Sequence, residues 1–465
     1  MVFSSLTFLC IFFPIVFILH WILPGYTWKN LLLVIASLIF YAYGEPVYVI
    51  LMLVSVVMNY GFGRMLECDR DKKAKVILTF SIIANLGMLA VFKYADWFVS
   101  TLNSIFSADL PLAHIALPIG ISFYTFQAMS YVIDVYRKEV PVQKSLMAMF
   151  LYISFFPQLI AGPIVRYYDI QEQIYGRKLE IERAALGFRR FTVGLAKKVL
   201  ISNVMALAAD GIFALEISEL NILSAWIGGI AYMMQIYFDF SGYSDMAIGM
   251  GHMFGFEFLE NFNYPYISKT ITEFWRRWHI SLSLWFRDYI YIPLGGNRVN
   301  KSRFMLNILI VWSLTGLWHG ASWNFVLWGL YYGILLLFEK LVLGSRIEKI
   351  PMLFRRISSL FFIIIGWVLF NLSDTQTLLS VLKEMFIFSP TDWVSLLIQD
   401  TSICSKLLFL PIAVVFAFPV VKKVNLPDNS IWGCIINNVA HMAVLAFSIM
   451  YIISSNFTPF IYFSF

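Results

Sequence analysis

Apolar stretches recur from one end of this sequence to the other, and many approach the length of about 20 residues that a membrane-spanning helix needs. Charged residues make up 13% of the chain and hydrophobic residues 60%, whereas a soluble protein usually carries about a quarter charged residues. No polar module separates the stretches. The sequence therefore predicts an all-α polytopic membrane protein with a single domain over residues 1–465. The candidate stretches lie near 5–23, 30–43, 47–63, 76–98, 115–136, 145–165, 187–213, 222–250, 303–318, 322–339, 356–372, 405–421 and 438–457.

Lys and Arg are concentrated in short loops beside these stretches. Because cytoplasmic loops are enriched in both residues, these loops predict how each stretch is oriented in the membrane. The net charge of +6 follows from these loops and does not indicate a nucleic-acid partner. Both termini then fall outside, and the chain makes about twelve crossings. The residues predicted to be cytoplasmic are Arg64, Arg70, Lys72, Lys73, Lys75, Arg137, Lys138, Lys144, Arg166, Arg177, Lys178, Arg183, Arg189, Arg190, Lys340, Arg346, Lys349, Arg355, Arg356, Lys422 and Lys423.

The stretch 145–165 does not fit this alternation, because basic residues flank both of its ends. It contains Pro157, Gly162 and Pro163, which weaken a helix, and proline also removes a backbone donor. Broken backbone at membrane depth is tolerated only where protein or water covers it. We therefore expect a re-entrant segment that enters and leaves on the cytoplasmic side.

Residues 251–302 carry too many charges for a crossing, yet their apolar side chains recur at helical spacing. This pattern predicts an amphipathic helix that lies in the cytoplasmic interface and ends at the turn residues Pro293, Gly295 and Gly296. The apolar positions are Trp275, Trp278, Leu282, Trp285 and Phe286, and the charged positions are Glu273, Arg276, Arg277 and Arg287.

His319 lies where two apolar stretches meet, and no Lys, Arg, Asp or Glu occurs between Arg303 and Glu339. Polar groups at such depth in a membrane are expensive, and they are usually functional or paired. His319 is therefore a candidate catalytic residue, with a hydrogen-bonded packing histidine as the alternative. The neighbours that can shape a site are Gly316 and Gly320 for space, Trp318 and Trp323 as walls, and Ser322 and Asn324 as hydrogen-bond partners.

A second candidate histidine, His279, lies in the amphipathic segment beside Arg276, Arg277 and Trp278. Arginine binds carboxylates and phosphates through paired hydrogen bonds, so these residues can hold an anionic substrate. The alternative is an anchor helix whose arginines face lipid headgroups.

Other polar residues in the apolar stretches give weaker signals. Asp239 and Asp245 can bind or orient groups at a site, but structural ion pairs with nearby arginines are the competing interpretation. His20 and His114 are expected to be solvated or interfacial, and His252 and His441 to be structural. The histidines show no HxxxH or HExxH spacing and the cysteines no CxxC, so no metal site is expected.

Six motifs together are similar to the membrane-bound O-acyltransferase family. Within it, the chain most resembles the bacterial branch that O-acetylates polysaccharides such as alginate, and the branch that transfers D-alanine to teichoic acid is a relative. The resemblance covers nearly the whole chain. The motifs are "MVFSS" at the start, "FFPQLIAGPIVRY" (155–167), "YFDFSGYSDMAIG" (237–249), "EFWRRWHISLSLWFRDYIYIPLGGNR" (273–298), "GLWHGASWNFVLWG" (316–329) and "FIYFSF" at the end.

The resemblance implies that His319 is the motif histidine of the family and that His279 is its upstream polar partner. It also implies a ring of about 11–13 transmembrane helices, with re-entrant and interfacial helices, around a central funnel. The expected donor is acetyl-CoA or another acyl thioester, with no bound cofactor. The expected acceptor is an extracellular or cell-envelope polysaccharide, and the expected partner is an extracytoplasmic SGNH-type acetyltransferase or esterase. The location would be the bacterial inner, or plasma, membrane.

Two alternatives to acetyl transfer stay open. One, which the resemblance implies, is D-alanyl transfer to teichoic acid from a carrier-protein thioester. The other is a transporter without acyl turnover, because broken helices and buried polar residues also suit transport. Transporters of that kind often show matched interrupted helices in two halves, and this sequence shows no such pair.

Overall fold

A computed structural model describes residues 1–68, 72–160, 162–216, 219–387, 401–420, 431–455 and 460. The chain folds into two compact units. The first contains residues 1–192 and 243–260, and the second contains residues 193–242 and 261–465. The single domain expected from the sequence stays a prediction, and Arg70, Lys422 and Lys423 lie outside the described residues.

The regular structure in the described part of the first unit consists of helices. A π-helical turn, Phe8–Phe12, precedes α1, and another, Ala90–Tyr94, joins α4 to α5. The helices are α1 Phe13–Ile22, α2 Gly25–Gly44, α3 Tyr48–Cys68, α4 Lys72–Leu89, α5 Ala95–Phe106, α6 Ile121–Arg137, α7 Leu146–Ser154, α8 Phe156–Leu159, α9 Tyr167–Ile170, α10 Gln173–Gly176 and the first part of α11 Ile181–Ala196.

The second unit begins in α11 and is also helical. It includes π-helical turns at Lys197–Ser202, Arg287–Tyr291 and Phe338–Leu343, and 3₁₀ turns at Pro265–Ile267 and Gly344–Lys349. Its helices are α12 Asn203–Phe213, α13 Ile222–Met253 up to Gly242, α14 Ile271–Arg277, α15 Ile280–Phe286, α16 Lys301–His319, α17 Trp323–Leu337, α18 Met352–Asn371, α19 Thr375–Phe386, α20 Thr401–Leu407, α21 Leu410–Phe416 and α22 Ile431–Ser454.

Seven helical segments within the described residues are long and apolar enough to cross a membrane. The described residues contain no strand, so the all-α polytopic class predicted from the sequence is confirmed. The number of about twelve crossings, the ring and the funnel stay predictions. The seven segments are Gly25–Gly44, Tyr48–Glu67, Lys72–Phe106, Ile181–Phe213, Trp323–Lys349, Met352–Asn371 and Trp432–Ser454.

The stretch 145–165 is broken, as its prolines and glycine predict. Helix α7 ends at Ser154 and the four-residue α8 follows, because Pro157 has no N–H and its ring excludes a continuous helix. The freed N–H of Phe156 donates to Ser37 Oγ at 3.0 Å. Residues 151–160 are all buried, so protein covers the irregular backbone. Entry and exit on the cytoplasmic side stay predictions.

The prediction of one amphipathic helix in 251–302 is wrong, because the helix is interrupted. Two short helices, α14 and α15, are separated at Trp278 and His279, and His279 has a left-handed backbone with φ 44°. This conformation is uncommon outside glycine, and it ends any regular helix. The N–H of Ile280 donates to the Asn261 carbonyl at 3.0 Å, which stabilises the interruption. The tryptophans keep helical spacing on both sides, so the periodicity does not reveal the break.

Two tryptophans of this segment, Trp275 and Trp278, are packed within the second unit. Trp275 is 8% exposed and Trp278 is 1% exposed. Their rings lie beside those of Trp312 at 4.6 Å and Trp367 at 4.6 Å, respectively. Neighbouring side chains of the protein therefore cover both tryptophan rings.

His20 is also placed differently from the expectation that it is solvated or interfacial. It is fully buried in the first unit, and its Nε2 lies 3.4 Å from a guanidinium nitrogen of Arg177. The two residues lie 157 positions apart in the chain. Their contact therefore depends on the tertiary fold and leaves no local pattern.

Helices α16 and α17 pack closely through glycines. A methyl group on Gly316 would overlap the Phe325 carbonyl oxygen, and one on Gly329 would overlap the Trp312 carbonyl oxygen. Gly320 is blocked in the same way by the Phe325 ring. The expectation that Gly316 and Gly320 leave room for a ligand is therefore wrong, because backbone and ring atoms of the next helix fill that space.

Replacing Gly316 with Ala is expected to destabilise the protein, because overpacking a close helix contact costs about 1–3 kcal/mol. The measurement is the thermal unfolding midpoint and the monodisperse yield in detergent. Gly87→Ala is the matched control, since Gly87 is a helical glycine with nothing within 4 Å of an added methyl group. Equal stability of the two variants would contradict the packing described here.

A candidate active site with two buried histidines

A cavity of about 570 Å³ lies within the second unit, and both candidate histidines line it. Most of its wall is apolar, with side chains from α14, α15, α16 and α17. Its charged and hydroxyl groups come from three basic and four hydroxyl-bearing side chains, and the two imidazoles line the same wall. These residues are Arg276, Arg287, Lys340, Thr272, Ser283, Tyr291, Thr315, His279 and His319.

His319 is the last residue of α16 and is 4% exposed. Its imidazole lies against three aromatic rings, with centroid distances of 5.0 Å to Trp318, 5.1 Å to Trp328 and 5.2 Å to Phe370. These rings come from α16, α17 and α18, so three helices fix its orientation. A low-dielectric environment of this kind strengthens any hydrogen bond that the imidazole makes to a reacting group.

His279 occupies the break between α14 and α15 and is 1% exposed. Its Nδ1 lies 3.1 Å from Asn261 Oδ1, and the Phe240 ring meets the imidazole edge-on at 4.5 Å. Burial lowers the pKa of His279 to about 3, because desolvation disfavours the charged imidazolium. His279 is therefore neutral at physiological pH and has one unprotonated ring nitrogen.

The basic side chains at the cavity differ in how they are paired. Arg287 forms an ion pair with Asp288 at 2.7 Å. Among the described residues, neither Arg276 nor Lys340 forms an ion pair. The Lys340 ammonium lies 5.4 Å from the Phe304 ring centroid. Two cations without a salt-bridged carboxylate therefore line the cavity, and they favour an anionic ligand.

Glu339 holds α14 in place beside these cations. Its carboxylate accepts hydrogen bonds from the N–H groups of Ile271 and Thr272, at 2.5 and 2.9 Å, and from the Thr272 hydroxyl at 2.7 Å. The first N–H groups of a helix lack partners within the helix, so this contact satisfies them. It fixes the helix that carries Arg276 relative to the π-helical turn Phe338–Leu343, which follows α17.

The other candidate residues near the histidines do not line the cavity. Trp318 is buried with its ring 5.9 Å from that of His279, so it contacts both imidazoles. Arg277 pairs with Glu273 at 3.0 Å, and Trp278 is buried among aromatic rings. Asn324 donates to the Phe370 carbonyl at 3.2 Å, and it thereby joins α17 to α18. From the sequence we expected Trp323 to form part of the wall of the site. Its side chain is 56% exposed and does not line the cavity.

The two candidate aspartates take part in ion pairs. In the second unit, Asp239 meets the Lys198 ammonium at 2.7 Å, and both side chains are buried. In the first unit, Asp245 accepts from Arg190 Nε at 3.0 Å, and the same guanidinium contacts Glu260. Neither aspartate lines the cavity, and their role in substrate binding stays a prediction.

Sequence reasoning missed several residues that the structure places here. Asn261 lies 18 positions from His279, and only the fold brings the two side chains together. Lys340 was interpreted solely as a marker of a cytoplasmic loop. Thr272 and Thr315 lack any pattern that separates them from other hydroxyl side chains in apolar helices.

Comparisons with known proteins identify the family to which this chain is similar. A sequence model of the MBOAT, or membrane-bound O-acyltransferase, family matches residues 135–380. This range contains both histidines and all the residues that line the cavity. The match therefore covers the candidate site itself.

Several known proteins are similar to this chain, two of them over most of its length. The probable alginate O-acetylase AlgI of Azotobacter vinelandii is 42% identical over 402 residues, which cover 84% of this chain and 79% of the relative. The peptidoglycan O-acetyltransferase of Helicobacter pylori is 35% identical, over 83% of this chain and 80% of the relative. The teichoic acid D-alanyltransferase of Bacillus subtilis is 29% identical, over 47% of this chain and 58% of the relative. The chain therefore belongs to the membrane-bound O-acyltransferase family.

Proposed function

We propose that this membrane acyltransferase passes an acetyl group from a cytoplasmic thioester, acetyl-CoA, to hydroxyl groups of an extracellular or cell-envelope polysaccharide. The observation that carries the proposal is one apolar cavity lined by two buried histidines and by two cations without a salt bridge. The names of the relatives support the acetyl group and the polysaccharide, since alginate and peptidoglycan are the acceptors that those names give.

The chemistry requires a base at the point where donor and acceptor meet. The acceptor hydroxyl oxygen attacks the thioester carbonyl carbon, a C–O bond forms and the C–S bond breaks. The hydroxyl proton ends on the leaving sulfur, so an acetyl ester and a free thiol are the products. His319 can accept the proton from the hydroxyl and return it to sulfur, which is the role of a general acid–base catalyst. A transient acetyl-imidazole on the same histidine is the alternative route.

The basic side chains of the cavity suit the donor. Acetyl-CoA carries its thioester at the end of an arm with several phosphates, so it needs cations some distance from the reacting carbon. Arg276 and Lys340 line the same cavity as the histidines and form no ion pair within the described residues. We assign them to the phosphates of the donor, and we assign the apolar wall to the pantetheine arm.

Replacing Arg276 or Lys340 with Gln is expected to raise the KM for acetyl-CoA about fivefold each, with little change in kcat. An ion pair at an exposed site contributes up to about 1 kcal/mol, which corresponds to that factor. The measurement is the release of CoA thiol at varied acetyl-CoA. Arg277→Gln is the comparison, because Glu273 already neutralises that charge at 3.0 Å. Equal effects of all three substitutions would contradict the assignment.

We propose that the protein lies in the bacterial plasma membrane. The donor would then be made on the inner side of that membrane, and the glycan would be exposed on the outer side. We propose that an extracytoplasmic SGNH-type acetyltransferase or esterase takes up the acetyl group or directs it onto the glycan. Alginate, cellulose and peptidoglycan are the acceptors to test.

Labelled acetyl transfer in inverted membrane vesicles tests the function. The vesicles expose the cytoplasmic face, and each batch is loaded with one glycan before labelled acetyl-CoA is added outside. Acetyl ester on the enclosed glycan, absent from vesicles without this protein, is the expected result. D-alanyl carrier-protein thioester is tested in parallel, since one family of relatives is named for D-alanyl transfer. Transfer from that donor alone would overturn the acetyl proposal, and transport of a donor without ester formation would overturn the enzymatic one.

A further inference from the structure

Asn261 makes an unusually complete set of contacts at the break between α14 and α15. Its Oδ1 lies 3.1 Å from His279 Nδ1, 3.2 Å from the backbone nitrogen of Ser281 and 2.9 Å from Ser281 Oγ. Its carbonyl oxygen also accepts the N–H of Ile280 at 3.0 Å. Asn261 is 1% exposed, so water does not substitute for these bonds.

These contacts fix which atom of the Asn261 amide faces His279. A backbone N–H can only donate, so the amide atom that meets Ser281 N is the carbonyl oxygen and not the NH₂ group. The same oxygen lies against His279 Nδ1. An oxygen without a proton requires Nδ1 to be the donor, and the neutral imidazole then carries its lone pair on Nε2.

The remaining nitrogen of His279 is available to a ligand. His279 Nε2 is buried, and it makes no hydrogen bond to any of the described residues. His279 lines the cavity that also contains His319. A buried acceptor without a partner costs about 1–3 kcal/mol, so its retention at a cavity calls for an explanation.

We propose that Asn261 is a positioning residue that holds His279 in the Nδ1-protonated tautomer and thereby presents Nε2 to the substrate as a hydrogen-bond acceptor. The ligand group for Nε2 is a hydrogen-bond donor. The hydroxyl group that receives the acyl group, or the thiol that the reaction releases, is a group of this kind. The role of Nε2 in turnover rests on the proposed acyl transfer. The assignment of the tautomer does not depend on that proposal. The Phe240 ring, edge-on at 4.5 Å, keeps the imidazole in the plane that this bond requires.

The tautomer is measured directly by ¹⁵N magnetic resonance on protein labelled at the histidine rings. Neutral imidazoles protonated at Nδ1 and at Nε2 give distinguishable nitrogen signals. The chain has six histidines, and subtraction of the His279→Asn spectrum identifies the signals of His279. We expect a neutral ring with its proton on Nδ1 in the wild-type protein. A ring protonated on Nε2 would overturn the proposal whatever the activity.

Three substitutions connect the tautomer to turnover. Asn261→Leu removes the acceptor at similar volume and is expected to lower kcat about 10- to 100-fold with little change in KM. Asn261→Asp keeps an acceptor oxygen and is expected to restore the Nδ1-protonated tautomer and much of kcat. Ser281→Ala removes one bond to the same oxygen but leaves the bond to His279, so the tautomer and kcat should stay near wild type.

The outcomes separate the inference from the proposed function. Loss of kcat in Asn261→Leu with an unchanged His279 tautomer would overturn the positioning role, because a packing defect alone predicts that result. Failure of Asn261→Asp to recover the Nδ1-protonated tautomer would also overturn it. If the wild-type protein transferred no acetyl group but showed the Nδ1-protonated ring, the proposed function would fail while the tautomer assignment stood.

Discussion

Replacing His319 with Gln is expected to lower acyl transfer about 10²- to 10⁴-fold, which is the usual contribution of a positioned general base. Gln has a similar size and can form hydrogen bonds, so the aromatic surroundings formed by Trp318, Trp328 and Phe370 should stay intact. The protein should therefore insert and fold normally. The measurement is the number of acetyl groups transferred per correctly inserted molecule.

Two further variants make this result interpretable. His319→Ala should be equally inactive but less stable, since it leaves a space between the three rings. His441→Gln is the matched control, because His441 lies in α22, outside the cavity, with its Nδ1 2.7 Å from the Asn437 carbonyl oxygen. Near-normal turnover in His319→Gln would return His319 to a packing role and reopen the transporter interpretation. A loss of turnover larger than about 10⁴-fold in His319→Gln, together with an acetyl-imidazole trapped on His319 of the wild-type protein, would favour the covalent route.

The sequence was sufficient to predict the class of the protein and its candidate histidines, because both depend on local composition. Apolar stretches determine an all-α membrane protein wherever they fall in space. His319 stood out because no charged residue lies between Arg303 and Glu339. Burial of an imidazole in such surroundings follows from the composition alone. Proline in the stretch 145–165 similarly predicts a break, since the missing N–H acts within one helical turn.

Space and orientation at the site were not predictable in the same way. A glycine in an apolar helix suggests room, but it serves equally to let a neighbouring backbone approach. At Gly316 the neighbour is the Phe325 carbonyl, nine positions along the chain on the next helix. Whether a glycine here leaves room for a ligand or admits a neighbouring backbone depends on how α16 and α17 pack. The pattern of a single sequence does not show how two helices pack.

The supporting groups of the site come from distant parts of the second unit. Asn261 lies before α14 and reaches His279 across 18 positions, and Glu339 reaches the start of α14 across 67 or 68 positions. A hydrogen bond of this type leaves no periodic trace, since each partner alone is an ordinary polar residue. The left-handed backbone at His279 is invisible for a related reason, because histidine has no strong preference for it.

Replacing His279 with Asn is expected to lower kcat about 100-fold while the fold survives. The nitrogen of the Asn amide occupies nearly the position of histidine Nδ1, so it can still donate to Asn261 Oδ1. Asn also tolerates a left-handed backbone better than most residues, and the φ of 44° at this position requires it. The substitution therefore removes the Nε2 side of the ring and little else.

His279→Gln supplies the contrasting case for this prediction. The amide group of the introduced Gln extends toward the position of the His279 Nε2 atom. It can place an N–H donor there, where the wild-type ring has a hydrogen-bond acceptor. It also loses the donor to Asn261, and it tolerates the left-handed backbone less well than Asn. We therefore expect His279→Gln to be as inactive as His279→Asn and less stable to heating. Steady-state kinetics and thermal unfolding of both variants measure the difference. Near-normal kcat in His279→Asn would show that His279 serves only to anchor the turn between α14 and α15, because the one feature that the variant lacks is the unprotonated nitrogen at the cavity.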